Sequence, residues 1–264
     1  GMKLLFFKLI DRFIISCSNK VFCDSFSQSK FISKTLITKK PIVLGKGSLS
    51  GVNIEKFIHR DISLIKKMIK NDKNIPEIFH KLISEEKKQQ LNIFGFIGRL
   101  HLDKGIKELI DSFKLHYKNN PNSYLITIGP NELSKYDFKE LKSLPNTLHI
   151  DFIREIHLIL PFLDCLVLPS HREGFGSVII EAAASSVPVI TSNIPGPNDF
   201  IKHKENGYLV KPKSVYSLKK GLDFMSQNKE IAKEYAKKSF NICKEHFAEE
   251  YVCDLFVKTL IEEF

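Results

Sequence analysis

The sequence predicts an α/β protein built around a doubly wound parallel sheet, and three observations carry that expectation. From residue 91 onward, short apolar runs alternate with amphipathic helical stretches, an order that lays helices over both faces of a sheet. Runs such as LNIFGFIG and DCLVLPS contain few polar residues, as strands covered on both faces require. Finally, 43% of the 264 residues are hydrophobic, including 21 phenylalanines. That is enough for one large packed domain, or one domain with part of another.

The N-terminal run MKLLFFKLIDRFIISCSN has helical apolar spacing with basic interruptions. Gly1 before Met2 reads as a tag remnant and is left out of fold reasoning. KVFCDS reads as a strand, SFSQSKFISKTL as a helix capped by Ser25 or Ser27, and PIVLGKGS as a second strand. Residues 1–48 thus read as the end of an α/β domain. A tail of that size cannot bury its own sheet, so it must dock on this chain, on another copy or on a partner. LGKGSLSGVNIEKF reads as a connection with hinge glycines, and residues 61–90 as a lysine-rich helical region broken near Pro76. From residue 49 the chain reads as the second unit, running to residue 264.

Within that unit the strands expected are LNIFGFIGRL, SYLITIGP, NTLHIDFI, DCLVLPS, VPVITS and GYLVKP. The helices expected between them are KGIKELIDSFKLHYKN, SKYDFKELKSL, HLILPFL, SVIIEAAASS and PNDFIKH, with long helices closing the chain. Ligands of such sheets bind beyond the carboxyl ends of the strands.

The formal net charge is +10 and the pI about 9.2. Nucleic acid, an anionic membrane surface or a phosphorylated substrate could each answer to it. Only five of the 40 basic residues are arginine. Base-edge readers favour arginine, so nucleic acid is disfavoured. No apolar stretch approaches the roughly 18 residues that span a bilayer, and Asp164 cuts the closest one, LILPFLDCLVLP. Cys17, Cys23, Cys165, Cys243 and Cys253 are odd in number and widely spaced, without a CxxC pair. A reducing cytoplasm is the setting expected. No HExxH or clustered His/Asp set suggests a metal.

Two post-strand stretches carry the candidate chemistry. Arg99 follows the first strand of the regular unit, and Lys104-Gly105 opens the next helix. An arginine fork, a lysine charge and free helix amides suit a diphosphate, although two solvated basic residues in a loop would look the same. After DCLVLPS comes HREGFGSVIIEAAA. Gly174 and Gly176 allow close approach of a ligand to the backbone, with Ser177 as the expected N-cap of an anion-binding helix start. Glu173 would hold sugar hydroxyls or pair with a neighbouring cation, with Arg172 as its bland partner. Glu181 lies among Ile179, Ile180, Ala182 and Ala183. It needs hydroxyl donors there, unless it simply faces solvent. His171 reads as a local neighbour, and GKGS at 45–48 as a hinge, not a phosphate loop.

GFIGRLHLDKG, LVLPSHREGFGSVIIEAAASSVPVIT, IPGPNDFIKHKENGYLVKP and the connection VLGKGSLSGVNIEKF together resemble the GT4 family of retaining glycosyltransferases, from about residue 20 to the C-terminus. The resemblance is closest to members that build capsule, O-antigen or other surface glycans on lipid-linked acceptors. It implies the GT-B fold, of which this chain holds the C-terminal donor-binding domain and the end of the N-terminal acceptor domain. It implies that Arg99 and Lys104 hold the donor diphosphate, and that Glu173 acts beside the sugar. Gly174 and the amides of Phe175, Gly176 and Ser177 would cradle sugar and phosphate, and Glu181 would bind ribose. Residues 153–155 would approach the base. The expected reaction is metal-independent, front-face transfer with retention and no cofactor. The donor is a nucleoside diphosphate sugar, taken as a UDP-sugar by analogy alone. Two departures stand out: Ser186 where Gly is common, and Arg154 in place of a base-loop Gly.

The expected partners are a nucleotide sugar and a glycan or lipid-linked acceptor, with no nucleic acid. The expected place is the cytoplasm, with the N-terminal amphipathic run able to touch the inner face of the membrane; a buried helix is preferred for that run. The alternative is a non-catalytic donor-binding subunit that needs a partner to supply the acceptor domain.

Overall fold

The computed structural model describes residues 2–35, 40–58, 61–70, 75–77, 79–80, 82–83 and 91–261. The lysine-rich region expected over 61–90 falls partly outside them. Its described part contains an amphipathic helix, Ile62–Lys70, with Ile65 and Ile69 buried.

The centre is one six-stranded sheet. Its strands are β1 (Asn92–Ile97), β2 (Ser123–Ile128), β3 (Thr147–Ile150), β4 (Cys165–Leu168), β5 (Val189–Ser192) and β6 (Tyr208–Val210). They lie in the order β3-β2-β1-β4-β5-β6, and every pairing is parallel. The doubly wound parallel class expected from the sequence is the one observed. Cys165–Leu168 and Val189–Ser192 are buried throughout, which explains their continuous apolar sequence. The order reverses between β1 and β4, which makes their carboxyl ends the switch point where such sheets open a crevice.

Helices cover both faces. Leu109, Ile110 and Phe113 of Ile106–Tyr117 are fully buried, as are Ile179 and Ile180 of Ser177–Ala184. Val215–Gln227 packs on the first of these helices, and Lys229–His246 on the second. Glu249–Ile261 closes the described chain. HLILPFL forms two short 3-10 turns, Ile156–Leu158 and Leu160–Phe162, in place of the expected helix. Pro161 occupies the start of the second turn and cannot donate to a continuing helix.

The N-terminal segment differs from expectation. Met2–Ser16 is helical, but Leu5, Phe6, Phe7, Leu9, Phe13 and Ile14 are exposed, not buried. KVFCDS and PIVLGKGS form only an isolated bridge, Phe22 to Ile42. With no third strand beside them among the described residues, two short extended runs make no sheet. The segment after the first helix docks on this chain. Phe22 meets Phe256 with ring centroids 5.1 Å apart, and the Ser27 amide donates to Asp199 Oδ2 at 2.9 Å. Further on, Val52 exchanges backbone hydrogen bonds with Phe247 and Glu249 at 2.8 and 2.9 Å. Among the described residues, no helix is long and apolar enough to cross a membrane.

Candidate active site

A cavity of about 310 Å³ opens beyond β1 and β4 and is lined by Ile97, Gly98, Arg99, Lys104, Leu168, Glu173, Gly176, Ser177, Val178 and Glu181. Six of the residues named from sequence, Arg99, Lys104, Glu173, Gly176, Ser177 and Glu181, therefore share one cleft at the switch point. Gly105 brings the first wall in. It adopts φ +71°, and a Cβ there would lie 2.1 Å from the Pro169 carbonyl oxygen, so only glycine lets the Lys104 turn close against the end of β4.

The second wall is the start of helix Ser177–Ala184. Gly176, not Ser177, is its N-cap, with φ +86° and no side-chain cap bond. Ser177 is the first helical residue. The left-handed backbone at Gly176 turns the chain into the helix and leaves the Ser177 and Val178 amides without acceptors among the described residues. Free amides at a helix N-terminus favour an anion.

Both cations of the cleft are ion-paired. Lys104 Nζ lies 2.7 Å from Glu173 Oε1, an oxygen that also accepts from Ser170 Oγ at 2.7 Å. Arg99 Nη1 lies 2.6 Å from Glu132 Oε2, and both side chains are substantially exposed. Such a surface pair contributes little and can re-form around a ligand. Glu173 thus takes the cation-pairing role, but its partner is Lys104. Arg172 turns instead to Asp103, with Nε 3.3 Å from Oδ2.

Asp103 was not singled out from the sequence, yet it joins the two walls. Its carbonyl accepts the His171 amide at 2.8 Å, and its carboxylate meets His101 and Arg172. Burial would raise its pKa, but those hydrogen bonds and charges prevail and hold it below the ordinary carboxylate value. His171 Nε2 pairs with Glu108 at 3.0 Å and does not line the cleft. No local pattern announces the joining role of Asp103, because the His171 amide and Arg172 become its neighbours only through the fold.

Glu181 enters the cleft from the helix while the residues on either side of it are buried. Its carboxylate has no hydrogen-bond partner among the described residues. Burial raises its pKa, and the charge of Lys56 opposes that shift. The exposed-surface reading does not hold for this residue. Phe175 and Gly174 stand outside the cleft lining. The Phe175 ring is buried against Phe200 and Phe247, with centroids 6.4 and 5.4 Å away. Gly174 faces Asp24 and Gln28 of the N-terminal segment. In the 153–155 loop Ile153 is buried, Arg154 is exposed and Glu155 pairs with Lys56. Among the described residues, no group of three or more His, Cys, Asp or Glu could hold a metal ion.

A doubly wound parallel sheet with an anion-directed cleft at its switch point defines a ligand-binding α/β domain. The chain belongs to the glycosyl transferases group 1 family, whose model matches residues 78–241. It is 33% identical over 216 residues to the Staphylococcus aureus capsular polysaccharide biosynthesis glycosyltransferase CapM, covering 80% of this chain and 53% of that protein. It is 26% identical over 219 residues to the Escherichia coli UDP-Gal:alpha-D-GlcNAc-diphosphoundecaprenol alpha-1,3-galactosyltransferase, covering 81% of this chain and 52% of that one. The chain spans about half the length of these curated relatives. Anabaena HepE, solved in complex with UDP and glucose, superposes with a TM-score of 0.76 at 19% identity, over 92% of this chain and 63% of that one. At that identity the likeness is one of fold.

Proposed function

We propose that this chain carries the donor-binding part of a retaining glycosyltransferase, of the hexosyltransferase type, acting in surface polysaccharide synthesis. The donor is a nucleoside diphosphate sugar, a UDP-sugar first of all, and the acceptor a glycan or lipid-linked sugar. One observation carries the reading: a single cleft joins two cations with two helix amides and a half-buried carboxylate that have no hydrogen-bond partner among the described residues. Phosphate oxygens answer the cations and amides, and ribose hydroxyls answer Glu181. As the glycosidic bond breaks, negative charge grows on the departing diphosphate, and Arg99 and Lys104 are placed to stabilise it. Glu173, already bonded to Lys104, orients that ammonium and offers its second oxygen to a sugar hydroxyl.

The names of the relatives support the polysaccharide context, and those of the Escherichia coli and Anabaena proteins support uridine nucleotides. In this reading catalysis needs no metal or cofactor, and the chain works at the cytoplasmic face of the membrane. Residues 1–48 are the end of the acceptor domain. The test is a thermal-melting panel of millimolar uridine, guanosine and adenosine nucleotides and their sugars, since a ligand that binds the native state raises the melting point. A rise with one base is expected, and no rise with any would sink the reading.

A further inference from the structure

Ser170, just past the end of β4, is fully buried, and a buried hydroxyl needs a hydrogen-bond partner. Its Oγ donates to Glu173 Oε1 at 2.7 Å, the same oxygen that takes Lys104 Nζ at 2.7 Å. The Glu173 side chain is only 11% exposed and that of Lys104 20%, so this cluster is far drier than the Arg99–Glu132 pair. Close main-chain contacts flank Ser170 on both sides. The Pro169 carbonyl packs on Gly105, where a side chain could not fit, and the His171 amide donates to the Asp103 carbonyl at 2.8 Å. The hydroxyl is thereby fixed relative to both walls of the cleft.

A carboxylate oxygen has room for about two donors, and Oε1 has both. Oε2 has no hydrogen-bond partner among the described residues, and Glu173 lines the cleft. We propose that Ser170 is a positioning residue of the donor site: by holding Oε1 together with Lys104, it leaves Oε2 as the acceptor for a hydroxyl of the transferred sugar. The inference rests on the donor reading of the cleft and adds to it a residue that never touches the donor. An ammonium on a flexible stem does not by itself fix a carboxylate, because either oxygen or both can meet it. A hydroxyl attached to an immobile backbone decides which oxygen is held and which is offered. Without it the carboxylate can bring both oxygens to Lys104. The sugar then loses its acceptor, while the diphosphate keeps Arg99, Lys104 and the helix amides.

Calorimetry on the whole chain compares UDP with UDP-glucose, UDP-galactose and UDP-N-acetylglucosamine, with GDP, ADP and their glucose conjugates alongside. The proteins are wild type, Ser170→Ala, Ser170→Cys, Glu173→Gln and the double variant of Ser170→Ala with Glu173→Gln. The quantity read is the ratio of sugar-nucleotide to nucleotide affinity, for the sugar nucleotide that wild type binds best. Ser170→Ala should lower that ratio about tenfold, the worth of one hydrogen bond to a charged group, with the free nucleotide bound as in wild type. Ser170→Cys, which keeps the volume and offers a weak S–H donor, should lose part of the ratio, and it carries the test if the alanine variant does not fold. In the Glu173→Gln background Ser170→Ala should cost nothing further, because the hydroxyl acts only through that carboxylate. An unchanged ratio, equal losses for nucleotide and sugar nucleotide, or losses that add in the double variant would overturn the inference and leave the donor reading standing. So would a wild type that binds sugar nucleotides no tighter than nucleotides. A wild type that binds none of these ligands overturns both.

Discussion

The two ends of the sheet carry similar residues and use them differently. At the carboxyl end, the Glu181 carboxylate and two helix amides have no hydrogen-bond partner among the described residues, and the ion pairs of Arg99 and Lys104 border a cavity. At the opposite end, around Ser123 where β2 begins, the polar groups satisfy one another. His116 is fully buried, with Nδ1 2.7 Å from Asp223 Oδ1 and Nε2 2.9 Å from Ser123 Oγ. Lys219 pairs with the other oxygen of Asp223, and Phe94 stands edge-on to the imidazole. Ser123, His116 and Asp223 have the order of a nucleophilic triad, but Ser123 is fully buried and no substrate can reach it. Closed polar networks stabilise a fold, whereas unclosed ones wait for a ligand.

The largest effect expected comes from the closed end. Asp223→Ala removes the carboxylate partner of both the buried His116 Nδ1 and Lys219, and a buried group that loses its partner costs about 2–3 kcal/mol. Urea unfolding should show that loss, with nucleotide affinity of the remaining folded protein unchanged. At the cleft the pattern should invert. Arg99→Ala and Glu181→Ala should each weaken UDP binding about tenfold to a hundredfold, the worth of a charged hydrogen bond. Their unfolding midpoints should stay near wild type, since neither side chain closes a buried network. If Glu181→Ala unfolded the protein as Asp223→Ala does, the carboxylate would be a structural group and the contrast would fail.

A smaller effect belongs to the contact between the N-terminal segment and the sheet body. Asp199 accepts from both the amide and the hydroxyl of Ser27 and so caps helix Phe26–Thr35 from far along the chain. Asp199→Ala should cost about 1 kcal/mol, the usual worth of a cap. Hydrogen exchange should locate it at the start of that helix, with the sheet amides unmoved. Exchange that quickens across β1 as well would mean that segment and sheet open together.

The same contrast explains what the sequence made legible. Arg99, Lys104 and Glu173 could be read because each follows a strand or opens a helix, and Glu181 because it is a carboxylate inside an apolar helical run; both are local patterns. The six strands were legible for the same reason. The pairs Arg99–Glu132, Asp103–Arg172 and Lys56–Glu155 were not, because their members lie 33 to 99 residues apart and are brought together only by the fold. Ser177 looked like a cap because serine caps well, but the left-handed turn at Gly176 placed it one residue inside. KVFCDS has strand composition and forms a single bridge, because strand pattern describes a surface that fits between neighbours and cannot supply them.

The finest test of the contrast is the pH dependence of stability at the closed end. Burial lowers the pKa of His116, and the Asp223 carboxylate only partly offsets this. In the unfolded chain histidine takes a proton near its ordinary value of about 6.5. Between that value and the lower native one, the unfolded state binds more protons, so stability falls as pH falls. The contribution is complete above about pH 6.5 and is lost below it, with a slope of at most about 1.4 kcal/mol per pH unit. Urea unfolding at pH 7.5, 6.5 and 5.5 should show this slope, and His116→Gln should flatten it at the cost of a lower plateau. A stability that rose on acidification would mean that Asp223 holds the imidazolium better than burial excludes it. The closed network would then be an ion pair that strengthens on protonation, and the two ends of the sheet would differ in access alone, not in how their charges are satisfied.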